Sequence, residues 1–134
     1  MSLRTDPDER NRRGREAEGL AAGHLAGLGW ELLDRNHRCE RGEVDLVFRS
    51  GEELHFVEVR SRTGEEQGTP EETVGPRKAR RVVAAATDWA EAHGGMGRPL
   101  RFDVVAVTFG EAGAAPRIVV FRDAFDGDGR PGHW

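Results

Sequence analysis

The sequence predicts one α/β domain, a mixed central sheet with flanking helices in the order α-β-β-β-α-β-β. Three observations lead there. Two apolar runs flank a short turn signal near the middle of the chain, a segment with apolar residues at helical spacing lies on either side of them, and two more apolar runs follow. Strands mixed with helices in this way bury their apolar faces by packing helices onto a sheet. At 134 residues the chain suits one core.

The elements follow in order. Ala17, Ala21, Leu25 and Leu28 recur at helical spacing from Gly14 onward, and Gly27 and Gly29 mark the end of that helix. Residues 1–13 lack such periodicity and read as a flexible basic N-terminal tail. Trp30–Leu33 reads as a short strand and Asn36–Gly42 as a polar connection. Val44–Phe48 and Leu54–Val59 are strands around the turn signal Ser50-Gly51-Glu52-Glu53. Ser61–Gly75 is a loop, after which Pro76 sits where a helix can begin. Ala79, Val82, Val83, Ala86, Trp89 and Ala90 give that helix an apolar stripe as far as His93, and Gly94–Pro99 breaks it. Phe102–Phe109 and Ile118–Phe121 complete the strands. The domain thus spans 14–125, and 126–134 is a C-terminal tail.

Composition narrows the function classes. No apolar run approaches the ~18–20 residues of a membrane span, and the polar, Arg-rich start has no signal-peptide character. The single Cys39 rules out a disulfide framework and a cysteine zinc cluster. A cytoplasmic protein that engages no membrane is the expectation. The net charge is −4, but the basic residues cluster: Arg10, Arg12, Arg13 and Arg15 in one group, Arg77, Lys78, Arg80 and Arg81 in another. Nucleic-acid binding depends on such local clusters more than on the sum. Nineteen of the twenty basic residues are Arg, Lys78 being the exception, which fits a compositional bias toward Arg.

The central hairpin carries the chemistry. Side chains alternate faces along a strand, so Glu43, Asp45 and Val47 share one face and Val44, Leu46 and Phe48 the other. On the return strand Leu54, Phe56, Glu58 and Arg60 share a face, opposite His55, Val57 and Val59. Both faces are apolar, as expected of strands covered on both sides. A two-residue turn at Gly51-Glu52, or a four-residue loop over Ser50–Glu53, places Phe56 opposite Val47, Glu58 opposite Asp45 and Arg60 opposite Glu43. An odd-length loop would put Asp45 and Glu58 on opposite faces. In the even register two half-buried carboxylates face each other, an arrangement that repels unless something compensates. A divalent cation, a shared proton and a nearby Arg each do so.

Other chemistry-bearing residues read as structural. His24, His37, His55 and His93 show no metal-ligand spacing, Trp89 is core, and Asp103 shares a strand face with Arg101, which suggests an ion pair.

Gly42-Glu43-Val44-Asp45-Leu46, a spacer, then Phe56-Val57-Glu58-Val59-Arg60 resembles the PD-(D/E)xK nuclease signature. More closely, it resembles the YraN-type family of small, largely uncharacterised bacterial proteins, related to Holliday-junction resolvases. Gly14 with Glu18 and Ala21 is similar to that family's opening helix, Lys78 to the Lys at the start of its second helix, and Arg101-Phe102-Asp103-Val104-Val105 to its late strand. The likeness covers roughly residues 14–125. It implies a restriction-endonuclease-like fold in which Asp45 and Glu58 bind Mg²⁺ or Mn²⁺ and Glu18 adds a carboxylate from the first helix. It also puts Arg60 in the place of the signature Lys. An Arg clamps phosphate but is a poor proton carrier, and Arg62 or Lys78 can supply the missing charge.

The expectation is therefore a metal-dependent endonuclease hydrolysing phosphodiester bonds, on branched DNA, with Asp45, Glu58, Arg60 and Glu18 as its catalytic set. Arg60, Arg62, Lys78, Arg77, Arg81 and Arg13 would bind nucleic acid. Likeness to the resolvases, and the need to cut two strands, imply a homodimer. A non-catalytic nucleic-acid-binding module and a protein-interaction subunit of a DNA-processing complex remain open alternatives on the same residues.

Overall fold

Helix α1 (Pro7–Gly27) leads into three consecutive antiparallel strands, β1 (Glu31–Cys39), β2 (Gly42–Ser50) and β3 (Glu53–Thr63). Helix α2 (Pro76–Ala92) then crosses over to β4 (Leu100–Phe109), which runs parallel to β3, and β5 (Arg117–Phe125) closes the sheet antiparallel to β4. The order in space is the order in sequence. The one parallel pair requires a crossover, and α2 supplies it. The computed structural model describes residues 7–63, 74–111 and 113–132. Among these, no helix is long and apolar enough to cross a membrane. The predicted element order and the mixed sheet with flanking helices are what the chain forms.

Each helix covers one face. On the α1 side Ala17, Ala21 and Leu25 pack with Trp30, Leu46, Phe48, Val57, Val105 and Val107. On the α2 side Ala79, Val82, Ala86 and Trp89 pack with Val44, Val47, Leu54, Phe56 and Val104. The small residues on both helices let their axes lie close to the sheet. On β2 the approach is close enough to need glycine: a Cβ at Gly42 would lie 1.9 Å from the carbonyl oxygen of Arg81.

Several boundaries differ from those the sequence predicts. Helix α1 begins at Pro7, because proline is preorganised for the first helical turn. The polar residues 7–13 therefore extend the helix rather than form a tail. Strand β1 runs on to Cys39 through the segment read as a connection. It is an edge strand, and two polar contacts dock it onto α2. Trp89 Nε1 donates to Asp34 Oδ2 at 2.9 Å, and His37 Nε2 lies 2.8 Å from Asp88 Oδ2. Beyond β5 the chain turns back on itself. Gly132 N–H donates to the Ala124 carbonyl at 2.9 Å and Asp126 N–H to that of Arg130 at 2.9 Å, so residues 126–132 fold against β5. The expected loop 61–75 lies mostly outside the described residues, and β3 continues into its start.

At the hairpin-turn end of β3, His55 is buried and its Nδ1 lies 2.6 Å from Asp103 Oδ2. The β4–β5 register slips at Asp103, whose Oδ1 accepts the N–H of Asp123 at 2.9 Å. Arg101, expected to pair with Asp103, instead donates to Glu53 Oε2 at 2.7 Å. Asp103 lies inside the β3–β4 layer against His55, while Arg101 stays at the solvent edge beside Glu53.

The close approach at Gly42 yields a prediction. Gly42→Ala forces α2 away from β2 and should lower the unfolding free energy by about 2–3 kcal/mol, read from urea denaturation. A wild-type midpoint would mean that the helix lifts freely.

Candidate functional site

The β2–β3 hairpin turns through two residues, Gly51 and Glu52, with Ser50 paired to Glu53 and Gly51 in the left-handed region at φ 59°. That turn fixes an even register, and Val47 faces Phe56 as the arithmetic requires. The last ladder pair is Leu46 with Val57. One step further, where Asp45 and Glu58 come level, the strands part. Val59 N–H donates to Asp45 Oδ2 at 2.8 Å, so a side-chain carboxylate takes a bond that a backbone carbonyl takes in a continuing ladder.

Strict alternation also stops here. Val44 packs on the α2 side and Leu46 on the α1 side, so the expected shared face holds only for Leu46 and Phe48. The matching position on β1 is Asn36, which sits at φ 52° between the pairs Arg35–Leu46 and His37–Val44. Asparagine is one of the few residues that adopts this conformation readily. Both strands are thus distorted at one level, and Asp45 is re-aimed by the distortion rather than by simple pleat geometry.

Five charged side chains gather around this break. Glu58 is buried on β3, and Lys78 Nζ from α2 lies 3.0 Å from its Oε1. Asp45 receives hydrogen bonds from Val59 N–H and from the Glu58 carboxyl, and Arg60, two residues further along the face of Glu58, acts on Glu58 through its charge. Glu18 arrives from α1, hydrogen-bonded to the Asn36 side chain and within electrostatic reach of Asp45. Glu43, expected opposite Arg60, instead pairs with Arg38 across the β1–β2 hairpin, Nε to Oε2 3.1 Å, because β2 has left β3 by that point.

Arg77 and Arg81 are exposed on α2, Arg13 is half-buried on α1, and Arg62 follows Arg60 on β3. Neither Arg13, Arg77 nor Arg81 forms an ion pair with the three carboxylates among the described residues. Sequence reasoning missed Asn36, whose role depends on a distortion with no local signature. Lys78, which the sequence offers for nucleic acid and as a source of the charge missing at Arg60, contacts Glu58 here.

The electrostatics follow from burial. Desolvation, then the charge of Asp45, push Glu58 up to about 7, against the pull of Lys78 and Arg60. Asp45 is raised by burial although the Val59 N–H opposes this. Burial and the neighbouring Asp45 also raise Glu18. Each carboxylate makes its neighbours harder to ionise, and that is the environment in which a cation binds most favourably. No three His, Cys, Asp or Glu side chains form a ready-made metal cage among the described residues. Two convergent carboxylates nonetheless fit Mg²⁺, which takes one or two and completes its shell with water and phosphate.

The raised Glu58 predicts an unusual pH dependence. Between its ordinary 4.5 and about 7 the folded chain keeps a proton that the unfolded chain has lost. Stability therefore falls as pH rises through that window and levels off above it. Without divalent cations the loss should be on the order of 3 kcal/mol. Glu58→Gln should flatten the profile, measured as Tm against pH from 4 to 9. A wild-type slope in that variant would place the titration elsewhere.

Comparison with known proteins identifies the family. Residues 17–107 match the model of "Uncharacterised protein family UPF0102", a span that includes Glu18, Asp45, Glu58 and Lys78. A UPF0102 protein of Anaeromyxobacter dehalogenans is 67% identical over 129 residues, 96% of this chain and 95% of its own length. One from Moorella thermoacetica is 42% identical over 116 residues, 87% of this chain and 97% of its own. One from Frankia casuarinae is 44% identical over 112 residues, covering 84% and 94%. Coverage this complete at both ends of the comparison means that the chain belongs to the UPF0102 family, the YraN-type proteins that its hairpin resembles.

Proposed function

We propose that this protein is a nucleic-acid-binding, metal-dependent endonuclease of the PD-(D/E)xK kind, acting on DNA. The observation that carries the reading is the Asp45–Glu58 pair, two largely buried carboxyl groups at the point where β2 and β3 part, which share a hydrogen bond while Glu58 keeps its proton and repel once it is lost. A domain of this size gains no stability from such a pair by itself, since burying charge costs more than packing an apolar residue there.

Asp45 and Glu58 would hold Mg²⁺ or Mn²⁺, and Glu18 would take part from the α1 side. The cation, when bound, supplies an acidified water and neutralises charge on the phosphate. The chain's own residues do the rest. Val59 N–H fixes the orientation of Asp45, and loss of the Glu58 proton would turn both carboxylates toward a cation. Arg60 lies beside Glu58 on the same face and, being protonated at any ordinary pH, suits clamping phosphate rather than moving a proton. Arg62 and Lys78 continue this positive rim, and Arg77, Arg81 and Arg13 would contact backbone phosphates farther out. A homodimer would place two such sites on the two strands of a junction.

A second reading is favoured by one observation: Arg60 stands where the signature has Lys, and a guanidinium protonated at any ordinary pH is a poor proton carrier. On that reading the protein binds nucleic acid without turnover.

The two separate cleanly. Incubation with branched, flapped and single-stranded DNA in Mg²⁺ or Mn²⁺ should give cleavage that falls roughly a hundredfold or more in Asp45→Ala. Salt-sensitive DNA binding that survives Asp45→Ala, with no cleavage of any substrate, would replace the nuclease by the binding module.

A further inference from the structure

We infer that Lys78 is the resident counter-cation of the carboxylate pair, and that a divalent cation displaces its ammonium, freeing it to meet the substrate phosphate. The inference rests on reading the pair as a metal site.

The first support is position. Lys78 Nζ lies 3.0 Å from Glu58 Oε1, and the Glu58 side chain is 5% exposed while that of Lys78 is 41% exposed. The lysine stem thus joins a buried carboxyl to solvent, and the head group has somewhere to go when expelled. An ammonium carries one positive charge against two carboxyl groups. A divalent cation carries two and satisfies them better.

The second support is residue type. Nineteen of the twenty basic residues in this chain are Arg, yet the position touching Glu58 holds its only Lys. A guanidinium is a planar fork that engages a carboxylate with two parallel hydrogen bonds and would occupy both oxygens of Glu58. An ammonium is compact and touches one oxygen, so it leaves a coordination direction open and exchanges by rotation of its stem. A replaceable counter-ion at this position calls for lysine, against the trend of the whole sequence.

The third support is that the displacement needs no backbone motion. Helix α2 is pressed onto β2 at Gly42 by the Arg81 carbonyl, three residues after Lys78, so the helix holds its place while the side chain swings.

The single lysine also makes the test direct. Selective ¹³C,¹⁵N-lysine labelling of the intact protein gives one Cε–Nζ signal. Titration with Mg²⁺ alone should move it saturably, and the movement should vanish in Asp45→Asn. Calorimetry should show Mn²⁺ binding tightened by about tenfold or more in Lys78→Met, the effect one neighbouring charge exerts on an ionic equilibrium. Lys78→Arg should weaken it. Binding detectable only in Lys78→Met would support the exchange still more strongly.

If Mg²⁺ binds and Asp45→Asn abolishes binding, yet the lysine signal stays fixed and Lys78→Met changes nothing, the exchange is overturned and the metal site stands. If neither wild type nor Lys78→Met binds Mg²⁺ or Mn²⁺, both readings fall. The labelled wild-type signal decides the matter even should Lys78→Met fail to fold.

Discussion

Glu58 sits on β3, the middle strand of five, with α1 over one face of the sheet and α2 over the other. A carboxyl group there has lost most of its water, and nothing apolar can replace that solvation. The surroundings compensate piece by piece. Lys78 reaches in from α2, Arg60 adds charge from the same strand, and Asp45 accepts a hydrogen bond from the Glu58 carboxyl. The parting of β2 from β3 is part of the same solution, since it brings Asp45 to the Val59 N–H instead of leaving that donor to the ladder.

The two helices divide the work. Packing against opposite faces, they deliver side chains of opposite sign to the same end of the sheet: Glu18 from α1 and Lys78 from α2, both acting electrostatically on Asp45. The other end is built differently. There His55 and Asp103 are buried as a pair, with Trp30 stacked on the imidazole at 4.0 Å, and Glu53 and Arg101 close the rim. One end of β3 is a buried polar pair that ties β3 to β4, with His55 Nε2 left without a hydrogen-bond partner among the described residues. The other end holds carboxylates whose repulsion the protein alone only partly relieves.

How much of this the sequence discloses depends on the range of the interaction. That Asp45 comes level with Glu58 was legible because a two-residue turn transmits its parity along both strands, and the element order was legible from periodicity. The run of β1 to Cys39 was not. An edge strand that docks through His37–Asp88 and Trp89–Asp34 carries no apolar alternation to announce it. Nor was the break at Asn36 and Asp45 legible, since pleat arithmetic assumes an undistorted ladder and nothing local to either residue marks the distortion. The partner of Glu58 was hidden for a third reason. Lys78 is twenty residues away, and only the crossover geometry of a parallel pair brings it back over β3.

The near-contact of Gly42 with Arg81 also bears on timing. It leaves the start of α2 no room to move closer to the sheet, so the rearrangements that keep this packing are rotations about the bonds of the Lys78 side chain. Such rotations in partly exposed residues take picoseconds to nanoseconds, whereas shifts of a whole helix take microseconds or longer. A site assembled on so rigid a footing would respond to its ligands as fast as they arrive, and its rate would be set by diffusion and chemistry rather than by the protein's own breathing.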